Sequence, residues 1–398
     1  MKSKIFTYFI FIKFISLTLT PLSYADTNSE KSLTSYQILK SQTINKLKKV
    51  TLHSDPRLIV VGDFNNDGIH EYLGLSKSKK YTNYVFGSIR VTKKNDLNYW
   101  NNGVELSKDP SWSSNFETKT LDKNFSINGI WDVSIESYKG CVHPAQIVPS
   151  HLNKDDFMDF VIICHGYDAK PFPGEHSYVM LSTGLNKYKI DKLTNKIGFY
   201  HDGATADFNN DGILDILLTE TNAEKLRVFI NDGNGKFSLK NSYFSQFDSW
   251  RAFSTEILDV NKDGFFDIFI AGHEDEKYGA LPTTILLGNK NNKFSKSNKI
   301  TIPSVKGFGV VLDIIKHNNF LFIVRTGSKP NFYKGTLIQQ LEINNISKYS
   351  VIKNKKMRWL DRIFYLKSSN SLPKFGSLTE INKGIDFIFD GKDMKPIE

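Results

Sequence analysis

Cysteine is almost missing from this chain of 398 residues, with Cys141 and Cys164 the two examples. Neither follows the N-terminal apolar run, which argues against a lipid-anchored lipoprotein. Long apolar runs are missing as well. The one candidate, within MKSKIFTYFIFIKFISLTLTPLSYADT, is interrupted by Lys13 and is short for a membrane span. It reads as an export signal over residues 1–25, with basic Lys2 and Lys4, an apolar stretch, and the small residues Ser23 and Ala25 just ahead of a cut before Asp26. An uncleaved anchor is the alternative. No transmembrane segment is expected once the signal is removed, and the product is expected to be secreted or periplasmic. In that oxidising setting Cys141 and Cys164 are expected to pair, the alternative being two buried thiols.

A continuous basic stripe is also lacking. The formal charge of +10 drops by the three lysines of the signal to +7, and the remaining lysines sit in short groups on turn-like segments without interleaved aromatics. This excludes a nucleic-acid surface and leaves a solvated one. No nucleophile with an adjacent base, no zinc spacing and no phosphate loop can be found. His165, Asp168 and His176 come nearest to a metal cluster, but their spacing is loose.

What the sequence does have is a repeat. DFNNDGILDILL starts at Asp207, DFNNDGIHEYL at Asp63 and DVNKDGFFDIFI at Asp259, with a worn copy, HLNKDDFMDFVI, at His151. A ghost, DIIKHNN, starts at Asp313, and a last trace, EINKGIDFIF, at Glu380. The starts at 151, 207, 259 and 313 are 56, 52 and 54 residues apart. Each period holds an apolar strand, the acidic loop, a strand rich in Ile, Leu and Phe, a third strand, a Gly/Asn turn and a short fourth strand. Four strands per unit at this period predict an all-β fold, a β-propeller of six or seven four-stranded blades with seven favoured. The propeller is expected over 57–398. Residues 26–56 are read as a polar leader able to lend a closing strand. The long interval from 63 to 151 contains NGIWDVSIESY and has room for a blade without the motif.

Calcium takes six to eight hard oxygen ligands, so a short loop must aim alternate side chains at one point. Asp207, Asn209, Asp211 and Asp215 stand at positions 1, 3, 5 and 9 of such a loop, with the Ile213 carbonyl at 7 and Gly212 at the turn. Asp259, Asn261, Asp263, Phe265 and Asp267 repeat the set, as do Asp63, Asn65, Asp67, Ile69 and Glu71. The competing reading is a metal-free Asx turn, which by itself gives no reason for an acid at position 9. At 151 the first ligand is replaced by histidine and the glycine by Asp156, so Asn153, Asp155 and Asp159 are expected to form a structural turn.

DFNNDGILDILL and DVNKDGFFDIFI, each followed by Gly/Asn turns, resemble the FG-GAP/VCBS repeats of integrin α-chain propellers and of exported bacterial proteins. The resemblance implies that the acidic loops join first to second strands, that they hold Ca2+, and that binding is the work rather than catalysis. If so, the starts of first strands and the ends of second strands share the opposite face. His143, His165, Tyr167, Asp168, His201, Arg251 and His273 would gather there as ligand-binding candidates. The expected function is therefore a non-catalytic, calcium-stabilised propeller that binds an extracellular or periplasmic carbohydrate or protein. A propeller polysaccharide lyase or hydrolase is one alternative, and a structural module of a surface assembly is another.

Overall fold

The computed structural model describes residues 144–166, 172–185, 187–275, 280–317 and 319–358, together with strands at 59–62, 71–75, 89–93, 124–127, 131–135, 374–376, 386–389 and 394–396. These residues are all-β apart from one short 3-10 turn at Ser245–Phe247. Among them no helix is long and apolar enough to cross a membrane.

Four antiparallel meanders of four strands follow one another along the chain. Blade one contains Pro144–Ser150, Asp159–Cys164, Tyr178–Gly184 and Lys187–Lys192. Blade two contains Tyr200–Ala206, Asp215–Glu220, Lys225–Asn231 and Phe237–Leu239. Blade three contains Ala252–Leu258, Asp267–Gly272, Thr284–Leu286 and Lys299–Thr301. Blade four contains Val310–His317, Phe320–Thr326, Lys334–Glu342 and Asn345–Arg358. This is a propeller-like succession. The segment around Trp131 takes a different place from the one its sequence suggested. Trp131–Ile135 pairs parallel to the fourth strand of blade one and, with Asn124–Ile127, widens that sheet to six strands.

The second strands show why the sheets stack. Strand residues alternate between faces, so a sheet buried on both sides can have no polar face. Ile216 and Leu218 pack into a core with Val161, Ile163 and Val179 of blade one. Leu217, between them, packs the other way with Ile268 and Ile270 of blade three. Phe269 and Ala271 in turn meet Ile314, Leu321 and Ile323 of blade four. The core therefore lies between successive sheets, which gives each apolar run of the repeat two neighbours.

First strands also bond across blades, at equivalent positions. The Gly203 N–H donates to the Gln146 side-chain oxygen of blade one at 3.2 Å, and the Thr255 N–H donates to Asp202 of blade two at 3.2 Å. The Ser254 hydroxyl donates to the Leu312 carbonyl of blade four at 2.7 Å. Asp313 pairs with Val324 in the register that Asp202 and Ser254 hold against their own second strands. It therefore belongs to the first strand. The ghost motif at 313 is not the start of a loop: His317 pairs with Phe320, and the acidic loop of blade four has shrunk to a two-residue hairpin turn.

Candidate functional site

The acidic loops at 207 and 259 join first to second strands, and each is a closed set of hydrogen bonds. Asp207 accepts the N–H groups of Asp211 and Gly212 at 3.1 and 2.8 Å. Asn209 donates to Asp211 at 2.7 Å, and Asp211 accepts the Ile213 N–H at 2.9 Å. Asp259, Asn261, Asp263 and the Phe265 N–H repeat all four contacts. Positive φ at Asn210 and Gly212, and at Lys262 and Gly264, folds the backbone around the first carboxylate.

Position 9 has a task of its own. Fully buried Asp215 accepts the Phe208 N–H and the Asn231 N–H, both at 2.8 Å, and so ties the loop to the end of the third strand. Asp267 does the same with Val260 and Gly288 at 2.7 and 2.9 Å. In the worn loop Asp159 clamps Leu152 and Ser182 at 2.6 and 2.7 Å. An acid at position 9 is thus required by the turn whether or not metal binds. The expectation that a metal-free turn has no need of it does not hold. Burial outweighs these donors and pushes the Asp159 and Asp215 carboxyls up to about 6 and that of Asp267 to about 7. Asp211 and Asp207 add to the rise at Asp215, and Asp263 and Asp259 to that at Asp267.

Hard oxygens at positions 1, 3 and 5, gathered at an exposed tip with like charge crowding the ninth residue, suit a hard cation. By donor type the loops at 207 and 259 offer only oxygens at positions 1, 3 and 5, the kind of ligand that calcium takes. At 151 the position-1 carboxylate is missing, and neither Lys154 nor Asp156 adopts the positive φ of its counterparts. Asp63, Asn65, Asp67 and Ile69 lie outside the described residues, and of Glu71 only its place at the start of a strand is given.

At the other end of the blades the structure brings four predicted residues together. The His165 ring stacks on His201 at 5.0 Å and 15°. His201 meets Phe253 at 4.6 Å, and Phe253 stacks on His273 at 4.3 Å and 5°. The Arg251 guanidinium lies over Phe253 at 5.5 Å. Phe199 completes one side, 4.8 Å from His165 and 4.9 Å from His201. The ladder runs on to Phe172 at one end and to Phe332 and Tyr333 at the other.

Repetition explains the convergence. Each first strand carries a bulge near its start, and in blades two and three the extra residues are His201 and Phe253. A bulge re-aims a side chain, and here it sends both toward the neighbouring blade. His165, Thr221 and His273 all stand one residue past a second strand. The Thr221 hydroxyl donates its single proton to the Ala252 carbonyl at 2.7 Å, so toward His201 Nδ1, 2.8 Å away, it accepts. The proton in that contact is therefore carried by His201 Nδ1.

Phe199, Phe253, Phe332 and Tyr333 were not foreseen, because a phenylalanine beside a strand reads as core. A signal did exist: FYH at 199–201 and RAF at 251–253 place aromatic and basic residues at the same turn of the repeat. His143, Tyr167 and Asp168 lie outside the described residues. Cys164 is buried and disulfide-bonded, and Cys141, the other cysteine of the chain, is likewise outside them.

The FG-GAP-like repeat model matches residues 207–270, from the first described intact loop through the second strand of blade three. No curated protein matches the chain. Among solved structures, BBS1N, crystallised in complex with ARL6DN, is similar over 88% of this chain and 84% of its own, at 8% identity and a TM-score of 0.45. A prolyl endopeptidase is similar over 77% of this chain and 36% of its own, at 11% identity and a TM-score of 0.36. The Bombyx mori GH32 beta-fructofuranosidase BmSUC1 covers 76% and 66%, at 12% identity and 0.33. Likeness at this level says nothing of ligand or activity. The family match rests on the two acidic loops and the strands between them, and over residues 207–270 the chain carries an FG-GAP-like repeat.

Proposed function

We propose that the mature protein is an exported, calcium-stabilised β-propeller, seven-bladed over 57–398, that binds an extracellular or periplasmic ligand without catalysing a reaction on it. The observation that carries this reading is the convergence of His165, His201, Arg251 and His273 from three blades on the face opposite the acidic loops. Polar groups set among aromatic rings where several sheets meet are the ordinary makings of a binding site. Carbohydrate and protein are both within its chemistry.

Calcium has a separate task in this reading, supplying positive charge that relieves the crowded carboxylates. Asp207, Asn209, Asp211 and Asp215 would hold one ion, and Asp259, Asn261, Asp263 and Asp267 another. Extracellular modules of this ligand charge bind with dissociation constants of roughly 10⁻⁴ to 10⁻³ M, so the sites would fill only where calcium is plentiful. The loops are also joints between blades. The Asn292 amide of blade three donates to the Asn210 side chain at 2.6 Å, and Lys262 reaches Asn319 of blade four at 3.3 Å. An ion bound there would stiffen the contact between neighbouring sheets.

The reading is checked by presenting the purified mature protein to glycan and extracellular-protein panels, with calcium and with chelator. Saturable binding that His201→Ala or Arg251→Ala removes is the expected result. Binding confined to the acidic-loop face, or turnover of a bound glycan, would replace it. Export is checked by sequencing the mature N-terminus, which is expected to begin at Asp26.

A further inference from the structure

We infer that the ladder face takes an extended oligosaccharide, gripped at its two ends by Phe172 and Tyr333; this rests on the binding face proposed above and names its ligand class. Both rings are 39% exposed, and they sit at opposite ends of the chain of ring contacts, Phe172 against Phe199 and Tyr333 against His273. Both have left-handed backbones, with φ of 55° and 58°. For a bulky side chain that conformation is an outlier, and it persists only where the surroundings impose it.

Close backbone contacts lie near both residues in sequence. A Cβ on Gly166 would come within 2.7 Å of the Gly174 backbone, and one on Gly174 within 2.6 Å of the Gly198 backbone. The Glu175 N–H bonds to the Gly198 carbonyl at 2.9 Å, and the Gly166 N–H to the Glu175 carboxylate at 3.0 Å. The backbones at Gly166, Gly174 and Gly198 are thereby pressed together close in sequence to Phe172. At the other end the Tyr333 N–H bonds to the Gly327 carbonyl at 2.8 Å, where a Cβ on Gly327 would meet the Asn331 carbonyl at 2.4 Å. Each ring thus stands a few residues from a close backbone contact and is partly exposed.

The ligand class follows from how the aromatic surface is distributed. His165, Phe199 and His273 are 5–6% exposed, so these three rings are spent on holding the ladder together. The two most exposed rings, Phe172 and Tyr333, stand at opposite ends of the ladder with half-buried His201, Phe253 and Phe332 between them, which falls short of the contiguous apolar core of a protein interface that buries about 800 Å² on each partner. A sugar ring matches this better. It has a small apolar C–H face that covers one aromatic ring and a rim of hydroxyls for groups such as Arg251 and His201.

The experiment uses the full mature chain, wild type and with Phe172→Gly or Tyr333→Gly, against immobilised hexasaccharides of neutral, N-acetylated and uronic-acid sugars and against a displayed random-peptide library. Glycine accepts the left-handed backbone without strain, so both variants should stay folded, and the melting temperature records what the lost ring contacts cost. Each should weaken hexasaccharide binding about tenfold or more, as loss of an anchoring aromatic does. Hexasaccharide binding that both variants leave within twofold overturns the grip while sparing glycan binding. Peptide binding that needs both rings, with no hexasaccharide bound, overturns the glycan class and spares the face. Binding of neither overturns both this inference and the face on which it rests.

Discussion

The two ends of each blade are built from opposite materials. At the loop end, carboxylates are satisfied by backbone N–H groups: Asp207, Asp215, Asp259 and Asp267 each accept two. At the other end, side chains satisfy one another, ring on ring, across three blades. The first arrangement fixes a turn. The second presents groups whose positions depend on neighbouring sheets, which is how a repeat builds one site from several copies. A mutation at the loop end should therefore read out as stability, and one at the ladder end as binding.

The largest effect is expected at position 9. Asp159→Ala or Asp215→Ala leaves at least two buried N–H groups without an acceptor, and each such loss costs about 1–3 kcal/mol. Denaturant unfolding in chelator should show roughly 3 kcal/mol lost for either variant, the worn loop suffering as much as the intact one. If Asp215→Ala is costly only when calcium is present, the clamp is unimportant and the residue is a ligand alone.

Position 1 should behave differently. Calcium at 10 mM should stabilise the wild type by about 1–3 kcal/mol per site if the dissociation constants lie in the range expected of such modules. Asp207→Ala should lose one site's share of that gain, while His151→Ala should leave the calcium response unchanged. A melting curve indifferent to chelator would remove calcium from the account.

The smallest effect concerns pH. Burial lifts the Asp159 carboxyl to about 6 against the donors that would lower it, so the folded state holds this proton more tightly than the unfolded chain. Ionisation of Asp159 accordingly costs stability at neutral pH, although the residue as a clamp stabilises the turn, and that cost fades as pH falls through 6 towards 4. A carboxyl-carbon titration of Asp159 should give a midpoint near 6. A midpoint below 4 would mean that the N–H groups of Leu152, Asn153 and Ser182 outweigh desolvation.

The loop end was legible in the sequence and the ladder end only in part, for a physical reason. The loop contacts are local, because positions 1, 3 and 5 of one segment bond through a single turn, and the turn repeats. The ladder is non-local. His165, His201 and His273 could be placed on one face from strand direction alone, but contact between His201 and Phe253 depends on bulges that periodicity does not reveal. The burial of Ile216, Leu217 and Leu218 on both faces of their sheet was readable as a continuous apolar run. The spacing that seemed to place a loop start at Asp313 instead landed on the inter-blade position shared with Asp202, because blade four keeps its strands but shortens its loop.

The most direct measurement compares Asp211→Ala with His201→Ala in the same calcium-containing buffer, taking the melting temperature and the affinity for a hexasaccharide that the wild type binds. The strand between an acidic tip and a ladder residue is about 6 residues long, and at roughly 3.3 Å per residue the two lie some 20 Å apart, too far for direct contact. Asp211→Ala should lower the melting temperature and leave affinity within about twofold, whereas His201→Ala should lower affinity by about tenfold or more with little change in melting. Loss of binding in a still-folded Asp211→Ala protein, with His201→Ala binding as wild type, would place the ligand at the acidic loops and contradict the account.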